Sequence, residues 1–401
     1  MNSISILKNT VQTYAWGSYT AMPELLGTDS PASTPQAELW MGAHPKAPSL
    51  VDCAGKWISL EKLIQKNPQG ILGKAVANKF GGKLPYLFKV LAAAQPLSIQ
   101  AHPNSIHAKQ GFEKENRLKI PLGAYHRNYK DENHKPECIC AVTHFWAMKG
   151  FRNIPEMLSL MAIVRPIDLS KELDNLKQHQ SPQGLKSFFQ AIMNMDRKRQ
   201  KKIVDDAVAM AKKHAEDDYV FQWMIDLNNQ YPSDIGVLSP ILLNLVCLEP
   251  GQAMFLPAGE LHAYLDGVGI ELMANSDNVL RGGLTKKHVD VGELLNVLNF
   301  NEGETDVLPV TQINHCERIY ASRAEEFVLS AINLQAGTTY HSPTKRSVEI
   351  LLCTDGDATI SDLKSRMKID LPKGRSILIP AAVKKYRIKG DATIYKASVP
   401  I

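Results

Sequence analysis

The stretch PGQAMFLPAGELHAYLDG, residues 250–267, decides how this chain folds. A glycine opens it, an apolar run follows, and Pro257 and Gly259 precede His262. The run predicts a short strand, and the proline and glycine predict a tight turn at its end. His262 then has two interpretations. It is either an ordinary surface histidine of a turn, or one member of a metal site whose other members lie elsewhere in the sequence.

The composition is that of a globular protein. The chain has 401 residues, of which 44% are hydrophobic and 22% charged, and this length predicts two or three domains. No apolar run is long enough to span a bilayer, and the N-terminus lacks the pattern of a signal peptide. Six scattered cysteines indicate reduced thiols and a cytoplasmic location. The net charge of +5 permits an anionic small substrate but does not argue for nucleic acid.

The character of the sequence changes along the chain. Over residues 1–152, short apolar runs between turn residues predict strands. Over 153–234, apolar residues recur at helical spacing and predict an inserted helical domain. Short strands resume over 235–310 and continue over 311–401, with the turn spacing typical of sandwiches and barrels. We therefore expect a mainly β protein with one barrel interrupted by helices and a second barrel at the C-terminus.

The last region repeats the frame of the opening stretch. A glycine is followed six residues later by a proline in both copies, but Ala382 replaces Gly259 and Lys385 replaces His262. An ammonium group cannot coordinate a cation. We therefore expect one metal per chain, bound in the first barrel, and a degenerate C-terminal barrel without metal.

Three other residues are candidate partners of His262. Gln100 and His102 are two positions apart, so on a strand both side chains point to the same face. Glu137 begins another predicted strand. Amide, imidazole and carboxylate ligands suit a borderline divalent cation, and zinc is the first choice. The alternatives are a strand-surface amide, a turn histidine before Pro103 and a charge flanking a core strand.

Five longer motifs follow one another along the chain. They are YAWGS (14–18), AELWMGAHPKAPS (37–49), LPYLFKVLAAAQPLSIQAHPN (84–104), HKPECICAV (134–142) and PAGELHAYLDGVGIELMANSDNVLRGGLTKKHVDV (257–291). Together they resemble the type I mannose-6-phosphate isomerases, members of the cupin superfamily. The resemblance covers the whole chain. It implies two cupin-type jelly-roll β-barrels with an inserted α-helical domain, and it implies that Gln100, His102, Glu137 and His262 bind zinc.

The resemblance also implies a reaction, the interconversion of mannose 6-phosphate and fructose 6-phosphate through an enediol(ate). Such a reaction needs a group that moves a proton, positive charge for the enediolate oxygens and a cationic site for the phosphate. The resemblance assigns Glu271 and Asp277 to the site, and either could relay the proton. Lys135 shares the strand face of Glu137 and is a third candidate. The alternative for each carboxylate is a solvated loop residue.

Arg281 is the preferred residue for charge stabilisation or phosphate contact. It precedes two glycines, which would let a substrate approach the backbone closely. Lys89 and Ser98 are further phosphate candidates, and His134 is more simply interpreted as a surface residue. We expect a cytoplasmic monomer that binds sugar phosphates, has no nucleic-acid or membrane partner, and supplies GDP-mannose synthesis.

Two other classes of function compete with an isomerase. A metal-dependent cupin oxygenase usually needs several histidines and often iron, whereas this site contains an amide and a carboxylate beside cationic residues. A non-catalytic sugar-phosphate-binding protein would lack a competent base, and Glu271 and Asp277 argue against it. An assay with mannose 6-phosphate, with and without a chelator, separates the three classes.

Overall fold

The computed structural model describes residues 3–303 and 305–401, and it shows a mainly β protein with an inserted block of helices. The described strands form two sheets, one of 11 strands and one of 10. The helices lie mostly between two strands of the 10-stranded sheet. Within the described ranges, no helix combines the length and the apolar character needed to cross a membrane.

The strands alternate with short turns over most of the chain. They are β1 (Ser5–Lys8), β2 (Thr10–Gln12), β3 (Glu38–Gly42), β4 (Leu50–Cys53), β5 (Lys56–Ser59), β6 (Tyr86–Ala93), β7 (Ile99–Ala101), β8 (Glu137–Ala141), β9 (Phe145–Phe151), β10 (Leu243–Leu248), β11 (Ala253–Leu256), β12 (His262–Ala274), β13 (Leu280–Gly283), β14 (Val310–Gln312), β15 (Glu317–Tyr320), β16 (Val328–Leu334), β17 (Thr339–His341), β18 (Glu349–Asp362), β19 (Lys368–Pro372), β20 (Ser376–Ile379) and β21 (Tyr386–Ser398).

Six of the α-helices lie between β9 and β10. In chain order the α-helices are α1 (Ala21–Leu26), α2 (Leu60–Lys66), α3 (Pro68–Leu72), α4 (Lys74–Lys79), α5 (Ser105–Arg117), α6 (Ile154–Val164), α7 (Ser170–Gln178), α8 (Pro182–Met193), α9 (Arg197–Ala211), α10 (Tyr219–Gln230), α11 (Ser239–Leu242) and α12 (Val291–Val297). Two short 3₁₀ helices cover Ile167–Leu169 and Ile235–Leu238.

The long strand β12 organises the first barrel. It pairs with β6, β7, β8 and β9 along its length, so that four other strands are arranged around it. The central strands β6 and β8 are buried on both faces. One face contributes Leu91, Ile139 and Tyr264 to the barrel interior. The other contributes residues such as Met148 and Ala263 to a core shared with the inserted helices.

The N-terminal segment does not stay within one barrel. Strand β1 pairs with β20 on one side and with β4 on the other, so β1, β4 and β5 extend the C-terminal sheet. An apolar layer between the two sheets includes Leu7, Leu272 and Ile350. The two barrels therefore share one continuous core. The pairing of β1 with β20 joins strands near opposite ends of the chain, so no local sequence pattern predicts it.

The two barrels repeat one pairing register. Strand β11 sets Leu256 opposite Glu137, and strand β20 sets Ile379 opposite Glu349 in the same relation. Glu349 therefore occupies in the second barrel the position that Glu137 occupies in the first. The glycine turns that precede β11 and β20 also match, since Gly251 and Gly374 have φ angles of 85° and 82°.

The next strand along the chain is β12 in the first barrel and β21 in the second. It begins with His262 in the first barrel and with Tyr386 in the second. The sequence frame assigned Lys385 to that position, and it is wrong by one residue. Lys385 is exposed, whereas Tyr386 is buried and donates a hydrogen bond of 2.9 Å from its hydroxyl to Glu349 Oε2. The repeated frame predicts that this position has no histidine, and neither Lys385 nor Tyr386 is one.

A buried lysine occupies the interior of the second barrel. Glu271 lies opposite Ile139, two positions after Glu137, and Lys396 lies opposite Leu351, two positions after Glu349. Lys396 therefore occupies in the second barrel the position that Glu271 occupies in the first. The Lys396 ammonium contacts the Glu317 carboxylate and lies 3.9 Å from Glu349 Oε1. Tyr340 donates to Glu317 at 3.0 Å. Charges are therefore balanced inside this barrel by groups of the protein itself.

We predict that Lys396→Ala lowers the free energy of unfolding by roughly 3–5 kcal/mol, because it leaves the buried Glu317 carboxylate without its cation, whereas Glu349 keeps its ion pair with Arg346. Urea unfolding followed by circular dichroism measures this loss. The control is Lys385→Ala, which removes an exposed lysine and should change stability by no more than about 0.5 kcal/mol. Equal stability of the two variants would contradict the interpretation of Lys396 as a required internal cation.

Candidate metal centre and active site

Three of the four predicted ligand side chains meet inside the first barrel. His102, Glu137 and His262 are buried, and their ligating atoms all lie within 4.8 Å of one another. The two carboxylate oxygens of Glu137 lie 3.2 Å from His102 Nε2 and 3.5 Å from His262 Nε2. The three residues come from the end of β7, the start of β8 and the start of β12. The barrel thus brings together segments that are far apart in the sequence.

Backbone carbonyl groups fix the orientation of both imidazole rings. His102 Nδ1 lies 2.8 Å from the carbonyl oxygen of Asn278, and His262 Nδ1 lies 2.9 Å from that of Glu260. A carbonyl only accepts hydrogen bonds, so each Nδ1 is the protonated nitrogen and each Nε2 presents a lone pair. Burial, and then the charge of Lys135, lower the pKa of His102 to about 4, which keeps this ring neutral near pH 7.

The arrangement fits a bound divalent cation. His262 Nε2 is buried and has no hydrogen-bond partner among the residues that the structure describes. A buried lone pair without a partner is costly, and a metal ion would satisfy it. Two neutral imidazoles and one carboxylate are the ligand types found at catalytic zinc sites. The types of ligand atom and the unsatisfied nitrogen of His262 therefore both indicate a metal site.

Gln100 lies on the same sheet face as His262. It stands directly opposite His262 on one neighbouring strand and opposite Arg281 on the other. Directly opposed residues of antiparallel strands project their side chains to the same face. The row Arg281–Gln100–His262 therefore runs across the sheet beside the three-residue cluster.

The turn before β12 holds two ligand segments together. Gly259 has a φ of 80°, a conformation that favours glycine, and its N–H donates to the carbonyl oxygen of His102 at 2.8 Å. A Cβ atom at this position would lie 2.7 Å from the carbonyl oxygen of Val297. The proline–glycine turn predicted from the sequence is present, and it also ties the His262 segment to the His102 segment.

Charged groups surround the candidate ligands on the interior face. Lys135 Nζ lies 2.8 Å from Glu137 Oε1 and 3.4 Å from His102 Nε2. Glu271 is buried and pairs with Lys89 at 2.9 Å. Burial raises the pKa of the Glu271 carboxyl, against the opposing charge of Lys89. Lys135 thus lies beside the candidate ligands, and Glu271 lies on β12 opposite Ile139, two positions along β8 from Glu137.

Lys89 and Ser98 differ in their surroundings. The Lys89 ammonium lies between two carboxylates, since it is also 3.6 Å from Glu38. Lys89 is buried, and these two carboxylates compensate its charge within the protein. Ser98 is half-buried in the segment just before β7.

Asp277 is held by two residues of the motif GAHPKAPS. Its Oδ2 lies 2.9 Å from Lys46 Nζ and 3.4 Å from His44 Nε2. Burial raises the pKa of Asp277, but hydrogen bonds from His44 and Lys46 outweigh burial and hold the pKa well below its usual range. Sequence reasoning did not single out His44 or Lys46, although both lie in a motif that supports the family resemblance.

Arg281 is half-buried, and a second cation, Lys287, follows six residues later. Burial is the cause that lowers the pKa of Arg281, and no carboxylate within the described ranges forms an ion pair with it. Burial, followed by the charge of Arg281, lowers the pKa of Lys287 as well. Sequence reasoning missed Lys287, although a second lysine in the run TKKH was a signal for it.

The two glycines after Arg281 serve packing. A Cβ on Gly282 would lie 3.1 Å from the Leu261 side chain, and a Cβ on Gly283 would lie 3.1 Å from the Gly236 Cα. The space beside both glycines is therefore filled by protein atoms. The sequence predicts that it is open to a substrate, and the structure does not show this.

His134 joins the two barrels. Its Nε2 lies 2.7 Å from Glu326 Oε1, in the segment just before β16, and its side chain is 32% exposed. It is thus a partly exposed residue, as the sequence interpretation favours, but it has a defined ionic partner.

Comparisons with known proteins agree with this geometry. Two family models match the chain: Phosphomannose isomerase type I, catalytic domain, over residues 4–154, and Phosphomannose isomerase type I, helical insertion domain, over residues 166–243. A mannose-6-phosphate isomerase from Escherichia coli (strain K12) is 42% identical over 390 residues, covering 97% of either chain. This chain belongs to the type I phosphomannose isomerases.

More distant relatives and solved structures show the same family. A mannose-6-phosphate isomerase from Rattus norvegicus is 35% identical and covers 98% of this chain and 95% of its own. A crystal structure of a variant phosphomannose isomerase from Salmonella typhimurium superposes with a TM-score of 0.91 at 38% identity and covers 100% of each chain. A zinc-bound mannose 6-phosphate isomerase gives a TM-score of 0.91 at 39% identity, again with 100% of each chain covered. The predicted family and cupin-type fold are confirmed, whereas nothing supports an oxygenase or a non-catalytic binding protein.

We predict one tightly bound divalent metal ion per chain, in the first barrel. In the second barrel, Tyr386 replaces the histidine and Lys396 supplies a positive charge beside the carboxylates, so a second cation would be repelled. Elemental analysis of freshly purified, undialysed protein measures the stoichiometry. A second tightly held equivalent that survives mutation of His262 would show that the C-terminal barrel also binds metal.

Proposed function

We propose that this phosphomannose isomerase is a zinc-dependent aldose–ketose isomerase that interconverts mannose 6-phosphate and fructose 6-phosphate through an enediol(ate). The single observation that supports this most is the unsatisfied, buried Nε2 of His262, which faces the carboxylate of Glu137 beside His102. A buried nitrogen without a hydrogen-bond partner is unfavourable, and a bound cation would satisfy it.

Gln100, His102, Glu137 and His262 would hold the zinc ion. Their support is the converging ligand atoms of the last three and the cross-strand position of Gln100 opposite His262. When bound, zinc supplies a Lewis acid that orients the sugar oxygens and stabilises the charge of an enediolate. The carbonyl partners of both imidazoles keep these rings oriented for that role.

A proton must move between C2 and C1, and three groups are candidates for relaying it. Glu271, Asp277 and Lys135 each form an ion pair with a neighbouring side chain. An efficient base has a pKa near the operating pH. The raised pKa of Glu271 moves it toward that value and the lowered pKa of Asp277 moves it away, which favours Glu271 over Asp277 as base. Lys135 remains the third candidate because its ammonium lies beside the candidate ligands.

Arg281 is the proposed residue for charge stabilisation and phosphate contact, together with Lys287. A half-buried arginine and an exposed lysine, neither of which forms an ion pair within the described residues, suit a dianionic group. Lys89 and Ser98 are further candidates for phosphate contact. Lys89 is the less suited of the cations, because two carboxylates already neutralise its charge.

We further propose that the protein acts in the cytoplasm as a monomer, in carbohydrate metabolism that supplies GDP-mannose synthesis. Six free cysteines support a reducing compartment. The mild net charge of +5 favours a small anionic substrate over nucleic acid or a membrane surface.

A coupled assay tests the proposed reaction. The purified protein should convert mannose 6-phosphate to fructose 6-phosphate, lose this activity when zinc is removed by a chelator, and regain it when zinc is restored. Full activity in protein shown by elemental analysis to be metal-free would refute the zinc requirement. No conversion by zinc-loaded protein would refute the proposed reaction itself.

Replacing His262 with Ala should remove most bound metal and nearly all isomerase activity. It deletes one ligand, and the motif contains no neighbouring histidine that could replace it. The matched control is His144→Ala, which removes a histidine with 67% side-chain exposure and should leave zinc content and rate unchanged. Stoichiometric zinc in the purified His262→Ala protein would show that the four-ligand site is wrong.

Replacing Arg281 with Ala should lower kcat on the order of 10²–10³-fold while zinc content stays normal, the scale for losing one charge-stabilising donor. Arg281→Lys should restore the rate only in part, because lysine lacks the planar fork of arginine. Arg197→Ala, at an exposed helix position, is the control and should have no effect. Unchanged kcat and kcat/KM in Arg281→Ala would exclude Arg281 from the mechanism.

A further inference from the structure

Asn278 lies at the junction of two segments that contain candidate metal ligands. It is fully buried in the loop between β12 and β13. Its own carbonyl oxygen accepts the hydrogen bond from His102 Nδ1 at 2.8 Å. This contact decides which nitrogen of His102 is protonated, and so it leaves the Nε2 lone pair facing Glu137.

The side-chain amide of Asn278 binds a different segment, the loop that leads into β8. Its Oδ1 accepts from the backbone N–H groups of Lys130 and Asp131 at 2.6 and 3.2 Å. Its Nδ2 donates to the carbonyl oxygens of Asp131 and Asn133 at 2.8 and 2.9 Å. An asparagine amide offers two donor hydrogens and one oxygen with two lone pairs, so its hydrogen-bonding capacity is fully used.

Neighbouring residues reinforce the same contact. Ser276 Oγ donates to Asp131 Oδ1 at 2.8 Å, and the Asp277 N–H donates to Asp131 Oδ2 at 2.8 Å. The segment 276–278 is thus bound along its length to the segment 130–133. The latter segment ends two residues before Lys135 and four residues before Glu137.

We propose that Asn278 is a positioning residue of the metal centre, which holds the His102 ring and the Lys135–Glu137 strand in one fixed relation. Through its carbonyl it orients the first ligand, and through its amide it fixes the loop that precedes the second. No other side-chain type offers two acceptor sites and two donors of this size and geometry. This inference rests on the proposed zinc site, and it concerns how tightly that site binds rather than which residues coordinate.

Replacing Asn278 with Ala should weaken zinc binding about 10–100-fold, the scale for removing a partner that orients a ligand. Equilibrium competition with a chelator of known affinity measures this loss. Asn278→Ser leaves a small uncharged polar group in place of the amide and buries no charge, so its loss should be smaller than or equal to that of Asn278→Ala. If Asn278→Ala does not fold, the Ser variant provides the same comparison.

The matched control is Asn244→Ala. Asn244 also binds backbone with its amide, donating to the carbonyl oxygens of Lys149, Phe151 and Gly303, none of which belongs to a candidate ligand. This control should bind zinc within about twofold of the natural protein. A loss equal to that of Asn278→Ala would overturn the proposal, because general destabilisation would then explain both.

Hydrogen–deuterium exchange of the metal-free proteins supplies a readout that is independent of zinc and activity. The amides of Lys130 and Asp131 should exchange faster in Asn278→Ala and at the natural rate in Asn244→Ala. Faster exchange together with unchanged zinc affinity would overturn the proposal, since the loop would then be uncoupled from the centre. Absence of zinc binding by the natural protein would instead refute the proposed zinc site.

Discussion

The burial of two imidazoles and a carboxylate against one another is the constraint on which this structure depends. His102, Glu137 and His262 lie buried inside the first barrel, where an unsatisfied polar atom is costly. Every element around them reduces that cost. Carbonyl groups accept the outer ring hydrogens, Lys135 approaches the carboxylate, and Gly259 ties one ligand segment to another. The remaining unsatisfied atom, His262 Nε2, is where a cation would complete the set.

The same constraint explains how the site separates its charges. Lys89 is buried between two carboxylates and balances their charge, whereas Arg281 is half-buried, Lys287 is exposed, and neither forms an ion pair within the described residues. Cations that are already neutralised keep the barrel stable, and cations without a partner are suited to a charged ligand. The division lets one barrel contain several charges without losing the cationic surface that a phosphate requires.

Much of this could be predicted from the sequence, because strand alternation and turn chemistry are local. The turn at Gly259 and the helical block follow from spacing alone. Contacts between distant segments could not be predicted in this way. The pairing of β1 with β20 and the ion pair of His44 with Asp277 both depend on tertiary packing.

The second barrel has Glu349 at the position of Glu137 and Lys396 at that of Glu271. Its interior charge is thus balanced by side chains of the polypeptide, whereas the first barrel keeps a nitrogen that an ion would satisfy. Because β1, β4 and β5 belong to the second sheet and its apolar layer continues into the first barrel, the second barrel depends for its stability on the N-terminal strands rather than on the metal supply.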